Sequence, residues 1–131
     1  MTNDHLSSGK WGEKQAERFL RRNRYRILGR RVRVGARDEI DLVARKQKTL
    51  VFVEVKTRRS ETFGRPVSAV DRSKRRVLSR AAVRYLARLR FRPVCFRFDV
   101  VEVIGSPDSK DPVIRHIENA FPLDSRYDLP F

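Results

Sequence analysis

Cysteine is nearly absent from this chain, with Cys95 the only one in 131 residues. A single thiol excludes any internal disulfide, so a reducing compartment is expected. Long apolar runs are missing too. The longest near the centre, Leu50 to Val53, falls far short of the roughly 20 residues that cross a bilayer. Met1 to Ser8 is polar and lacks the apolar core of a secretion signal. A cytoplasmic protein that does not enter membranes is therefore expected. Histidine occurs only at His5 and His116, which with Cys95 make no zinc-ligand spacing. There is no Gly-x-Ser-x-Gly elbow and no phosphate-loop lysine motif.

Acids are also scarce, 16 Asp and Glu against 31 Lys and Arg, for a net charge of +15. The imbalance is concentrated. Arg18 to Arg37 holds nine arginines and no acid, and Arg72 to Arg92 holds nine basic residues and no acid. A solvated surface usually mixes the signs, so two acid-free blocks point to a polyanionic partner. Nucleic acid is the leading expectation, DNA before RNA, with an anionic membrane surface as the alternative.

Such a length suits one domain, placed here at residues 9–121, with 1–8 and 122–131 as loose tails. Trp11 to Arg22 reads as a helix with Ala16, Phe19 and Leu20 on one stripe. Tyr25 to Val34 reads as a strand interrupted at Gly29. Glu39 to Ala44 and Thr49 to Thr57 read as two strands joined by a short turn, hence antiparallel. After a loop at Glu61 to Val67, Ser68 is placed to cap a second helix. Its expected buried stripe is Val70, Val77, Ala81, Tyr85 and Leu89. Arg72, Arg76, Arg80 and Arg84 fall every fourth residue and form an expected exposed, nucleic-acid-binding ridge. Val94 to Ile104 and Val113 to Ile117 complete the pattern. The order is helix, three strands, helix, one or two strands, an α/β protein with a mixed central sheet flanked by helices.

The chemistry concentrates in the two central strands. Alternation puts Glu39, Asp41 and Val43 on one face, and Phe52, Glu54 and Lys56 on one face. A turn centred between Lys46 and Gln47 sets Glu39 opposite Glu54 and Phe52 opposite Asp41. A register shifted by two residues would instead bring Asp41 directly opposite Glu54. In either case three carboxylates and a lysine are expected to converge. Paired carboxylates suit Mg²⁺ or a similar hard cation, Mn²⁺ included. A neighbouring lysine can hold a water or offset phosphoryl charge. Glu13 lies on the buried stripe of the first helix and should face the sheet, although an acid near a helix start also suits the helix dipole. Asp99, in an apolar strand, is read as an anchor for an arginine or a support for the site.

These residues carry a family resemblance. Asp41 with Glu54-x-Lys56 resembles the PD-(D/E)xK nucleases. Gly12-Glu13, Glu39-Ile40-Asp41-Leu42, Val51 to Arg58, Lys74, Arg97-Phe98-Asp99-Val100 and Glu118-Asn119-Ala120-Phe121 together resemble the YraN family, small bacterial proteins similar to archaeal Holliday-junction resolvases. The resemblance implies a restriction-endonuclease-like fold, with Asp41 and Glu54 as metal ligands, Lys56 as the catalytic lysine and Glu13 as the helix acid. Where that family usually has glycine before Glu-Ile-Asp, this chain has Asp38.

The resulting expectation is a Mg²⁺- or Mn²⁺-dependent endonuclease acting on DNA, including branched or junction DNA. A homodimer would suit paired cuts on a four-way junction. Two other readings stand beside it: a nucleic-acid-binding module without catalysis, and a basic RNA- or ribosome-associated protein in which Asp41, Glu54 and Lys56 are strand-end ion pairs.

Overall fold

Alternating apolar residues in the central strands must be covered on both sides, and a helix covers each. The computed structural model describes residues 3–59, 70–93 and 95–131, with side chains described from Gly9 onward. Its elements are α1 (Asn3–Arg22), β1 (Arg26–Val34), β2 (Asp38–Lys46), β3 (Thr49–Arg58), α2 (Arg72–Arg88), β4 (Cys95–Ile104) and β5 (Val113–Phe121). The five strands form one mixed sheet in the order β1-β2-β3-β4-β5. All neighbours pair antiparallel except β3 and β4, which run parallel with α2 as their crossover. This is the expected element order. No described helix is long and apolar enough to cross a membrane.

Beneath α2 lie Val43, Leu50, Phe52, Phe98 and Val100, meeting Leu78, Ala81, Ala82 and Leu86 of the helix. Beneath α1 lie Leu42, Ala44, Val51, Val53, Val101 and Val103, meeting Ala16 and Leu20. Gly12 lets α1 approach β3, because a Cβ there would collide with the Thr57 hydroxyl.

Several boundaries differ from those read in the sequence. Backbone hydrogen bonding carries α1 back to Asn3, into the segment expected to be a tail. Ser68 and the Glu61–Val67 loop lie outside the described residues, and the cap of α2 is Asp71, whose carboxylate accepts the Lys74 N–H at 2.8 Å. The buried stripe of α2 runs through Leu78, Ala81, Ala82 and Leu86, with Val77 half-buried. Strand β5 runs on to Phe121, whose ring stacks on Phe98 with centroids 4.8 Å apart. Beyond it the chain folds back on α2, the Asp124 N–H donating to Ser79 Oγ at 2.9 Å.

Asp99 takes the structural role. Its buried carboxylate accepts from Arg97 Nε at 2.8 Å and the Asn119 N–H at 3.0 Å, and pairs with His116 Nε2 at 2.7 Å. Arg97 also donates to the Tyr25 hydroxyl, which donates to Glu118. Burial alone would raise the Asp99 carboxyl, but these donors outweigh it and hold it below the usual carboxylate range. The cluster ties β4 to β5 and to the α1–β1 corner, so Arg97, Asp99 and Glu118-Asn119 form one structural unit. Asp99→Ala would strand Arg97 in a largely buried position. It should destabilise the fold by about 3–5 kcal/mol, measured by urea denaturation at pH 7; a loss within experimental error would remove the cluster's structural role.

Candidate functional site

Strand β2 leaves regular pairing at Asp41. The ladder to β3 ends at Leu42 opposite Val53, and the ladder to β1 passes over the Arg31–Asp41 step. Arg31 has φ 45°, a left-handed conformation that costs a non-glycine residue on the order of 1 kcal/mol or more. The faces of β2 exchange there too, Ile40 packing beneath α2 and Leu42 beneath α1. The Asp41 carboxylate fills the gap, Oδ2 accepting the Val55 N–H at 2.8 Å.

The pairing of Val43 with Phe52 and Leu42 with Val53, continued one step, sets Asp41 directly across from Glu54. The first register read in the sequence, with Phe52 opposite Asp41, is therefore corrected by two residues. The turn is made by Gln47 and Lys48, and Gln47 takes φ 55° to close it. Glu54 is buried, and its Oε2 lies 3.5 Å from both Lys56 Nζ and Lys74 Nζ. Lys56 comes from the same strand, and Lys74 comes down from the first turn of α2.

Burial is the main force raising the Asp41 carboxyl, followed by the negative charge of Glu54 and the hydrogen bond the two share. The Val55 N–H and the Lys74 charge act in the opposite direction. The net result pushes Asp41 up to about 7. Asp41 therefore keeps its proton toward neutral pH unless a cation sits with it.

The remaining residues singled out in the sequence lie elsewhere. Glu39 is exposed and 3.9 Å from Arg33, because the exchange of faces at Asp41 turns it away from the pair. The expected convergence of three carboxylates is thus reduced to two. Glu13 does face the sheet, but it meets Arg31 Nε at 2.8 Å. Arg31 is also within electrostatic range of Glu39 and Asp41, which leaves Glu13 one residue removed from the pair. Among the described residues no three His, Cys, Asp or Glu side chains gather as a metal cage.

The arginine ridge is only partly a free surface. Arg80 grips buried Asp38 with both nitrogens, at 2.8 and 2.7 Å, and Arg84 approaches it to 3.7 Å. The bond to Arg80 holds the Asp38 carboxyl below its ordinary range despite burial. Asp38 therefore introduces no unpaired charge near the site. Arg76 is half-buried with no partner for its Nε among the described residues, and Arg72 and Arg84 are exposed.

Lys74 is the site residue that the candidate set lacked. It lies four residues before Leu78 and seven before Ala81, on the side of α2 that faces the sheet. Helical periodicity would have found it, since Lys74 follows Val70 by four residues and precedes Val77 by three on the expected stripe.

Chemically, two carboxylates flanked by two ammonium groups can hold a hard dication that keeps most of its waters, since Mg²⁺ uses one or two carboxylates and takes other oxygens from solvent or phosphate. Without a cation, the pair should depress stability as pH rises. The folded state keeps the Asp41 proton up to about pH 7, whereas an unfolded chain releases it near its ordinary value. Stability from this group is therefore full below about pH 4, falls as pH rises, and is lost above about pH 7. Asp41→Asn removes the repulsion and keeps an acceptor for the Val55 N–H. In chelator it should melt at the wild-type temperature near pH 4 and several degrees higher at pH 8. A variant less stable than wild type at pH 8 would contradict the assignment.

Comparison with known proteins sets this site in a family. A family model described as "Uncharacterised protein family UPF0102" matches residues 12–103, a span that contains Glu13, Asp41, Glu54, Lys56, Lys74 and Asp99. A UPF0102 protein of Geobacter metallireducens is 46% identical over 123 residues, covering 94% of this chain and 98% of its own. Another from Symbiobacterium thermophilum is 50% identical over 113 residues, covering 86% of this chain and 94% of its own. A third, from Geobacter sulfurreducens, is 50% identical over 113 residues and covers 86% of each chain. With most of its length matched in this way, the chain belongs to the UPF0102 family.

Proposed function

We propose that this protein is a metal-dependent endonuclease that hydrolyses phosphodiester bonds in DNA, branched or junction DNA included. The observation that carries the reading is the pairing of half-buried Asp41 with buried Glu54, with Lys56 and Lys74 at equal distances from Glu54 Oε2. A structural salt bridge needs one carboxylate and one lysine. A second carboxylate driven toward protonation is costly for the fold, and it is explained if the pair serves a cation. The element order also agrees with the restriction-endonuclease-like fold implied by the resemblance to PD-(D/E)xK nucleases.

The donor set fits Mg²⁺ or Mn²⁺: two hard oxygen ligands, one accepting a backbone N–H, which fixes its direction. Asp41 and Glu54 would hold the ion, which when bound supplies polarisation of the phosphate and an acidified water. The rest of the work falls to the chain. Lys56 is one-third exposed, so its ammonium can leave Glu54 and meet a phosphoryl oxygen as charge builds there. Lys74, more exposed, stands across the same carboxylate and balances charge from the helix side. Arg72, exposed at the start of α2, is the member of the expected ridge placed to touch a neighbouring phosphate. With Arg80 committed to Asp38, backbone binding rests on Arg72 and Arg84 of α2 and on the exposed arginines of the α1–β1 block.

Two measurements on one substrate at one salt concentration test the reading. With Mg²⁺ or Mn²⁺, wild type should cut at least one of linear, flapped and four-way DNA. Lys56→Ala should slow cutting by on the order of a hundredfold while affinity falls only slightly, as for loss of one preorganised donor. Asp41→Asn should lose Mn²⁺ binding with its fold intact. A wild type that binds these DNAs tightly and cuts none would favour the binding-module reading; equal cutting by Lys56→Ala would remove the lysine from the chemistry.

A further inference from the structure

The chain segment after α2 presents an aromatic ring where a folded domain gains nothing from one. Phe91 is 80% exposed, the largest value among the exposed large hydrophobic residues described. It belongs to neither core cluster. Arg90 and Arg92 flank it, Arg88 precedes them, and residues 88–92 contain no acid. The guanidinium carbon of Arg90 lies 5.9 Å from the centre of the Phe91 ring. A second ring stands beside this segment: Arg92 lies 4.6 Å over Phe131, itself 42% exposed. The turn of the chain back over α2, held at Ser79, carries the C-terminal residues to this end of the helix.

We propose that Phe91, with Phe131 beside it and Arg90 and Arg92 around them, is a stacking platform for unpaired nucleobases. The proposal rests on the nucleic-acid reading above and adds to it a second contact remote from the Asp41–Glu54 pair. Every base has a flat face that stacks on an exposed aromatic ring, while arginines beside the ring meet the phosphates on either side. A paired base is already stacked within its duplex and offers no free face. The platform therefore selects single strands, tails and the open centres of branched DNA over intact duplex. The arginine-rich, acid-free surround favours a polyanion over an apolar protein surface.

Distance makes the proposal sharper. Lys74 marks the Glu54 end of α2 and Leu89 its cap. Fifteen residues of helix separate them by roughly 22 Å at about 1.5 Å per residue. At roughly 3.4 Å per stacked nucleotide, a strand lying at the carboxylate pair needs about six or seven nucleotides to reach Phe91. Fewer suffice if the strand is stretched.

The test is fluorescence anisotropy in chelator with the full chain, which prevents cutting. The probes are a blunt duplex, the same duplex with a two-nucleotide or about ten-nucleotide thymidine tail, and a thymidine oligonucleotide. Phe91→Ala should weaken binding of the long-tailed duplex and the oligonucleotide by roughly tenfold, as for loss of one stacked base. It should leave the blunt and short-tailed duplexes within about twofold of wild type. Phe91 is exposed, so the variant should fold, and its melting temperature checks this. Phe91→Trp provides a direct reading: its emission should be quenched by the oligonucleotide, while wild type, whose single tryptophan is half-buried Trp11, shows little change. Equal binding of all probes by Phe91→Ala and wild type would overturn the platform. An equal loss on the blunt duplex would overturn it too, because the ring would then not be reading unpaired bases. If Phe91→Ala alters self-association but no DNA affinity, the patch is a protein contact and the proposal fails. A wild type that binds none of these DNAs would sink the nucleic-acid reading itself, which is distinguishable from loss of the platform alone.

Discussion

Two carboxyls set side by side and partly withdrawn from water repel each other unless a proton or a cation sits with them. Asp41 and Glu54 are in this position, and the local structure keeps them there. Asp41 steps out of both β ladders and ties itself to the Val55 N–H, while Arg31 accepts an unfavourable φ beside it. Glu54 beside Asp41 is buried, and Lys56 and Lys74 reach it from two elements. A sequence selected only for stability would place an apolar or single charged residue at one of these positions. The cost of the pair is the strongest physical sign that it has a task.

The net charge of +15 describes the chain as a partner for polyanions, but the structure divides that charge unevenly. Arg97 is committed to Asp99, Arg80 to Asp38, and Arg30 and Arg31 to Glu17 and Glu13. These arginines tie together α1, α2 and the sheet. Exposed charge remains on α1, along β1 at Arg26 and Arg33, on α2 at Arg72 and Arg84, and in the Arg90–Phe91–Arg92 segment.

The element order was legible because alternation in β2, β3 and β4 and the helical spacing of α1 and α2 are strong local signals. The composition of the site was legible for a related reason: charged residues at Asp41, Glu54 and Lys56 interrupt runs that are otherwise buried. Details that depend on single turns were not. A two-residue turn at Gln47–Lys48 shifted the β2–β3 register by two, and only the packing of α2 on the sheet shows that Lys74, on its buried side, reaches Glu54. The exchange of faces at Asp41, which removes Glu39, arises from an irregular backbone that no alternating pattern encodes. Likewise the arginine spacing was plain, but its partner was not: only the fold brings Asp38 beneath Arg80, 42 residues away.

If the Asp41–Glu54 pair is a cation site, binding an ion must release the proton that the pair holds. Calorimetric titration of the chain with Mn²⁺ at pH 6.5, in buffers of differing ionisation enthalpy, counts that proton directly. With Asp41 near 7, roughly three-quarters of a proton should leave per ion bound, and the number should approach zero by about pH 8.5. Binding with no proton release at pH 6.5, or no saturable binding at all, would contradict the account.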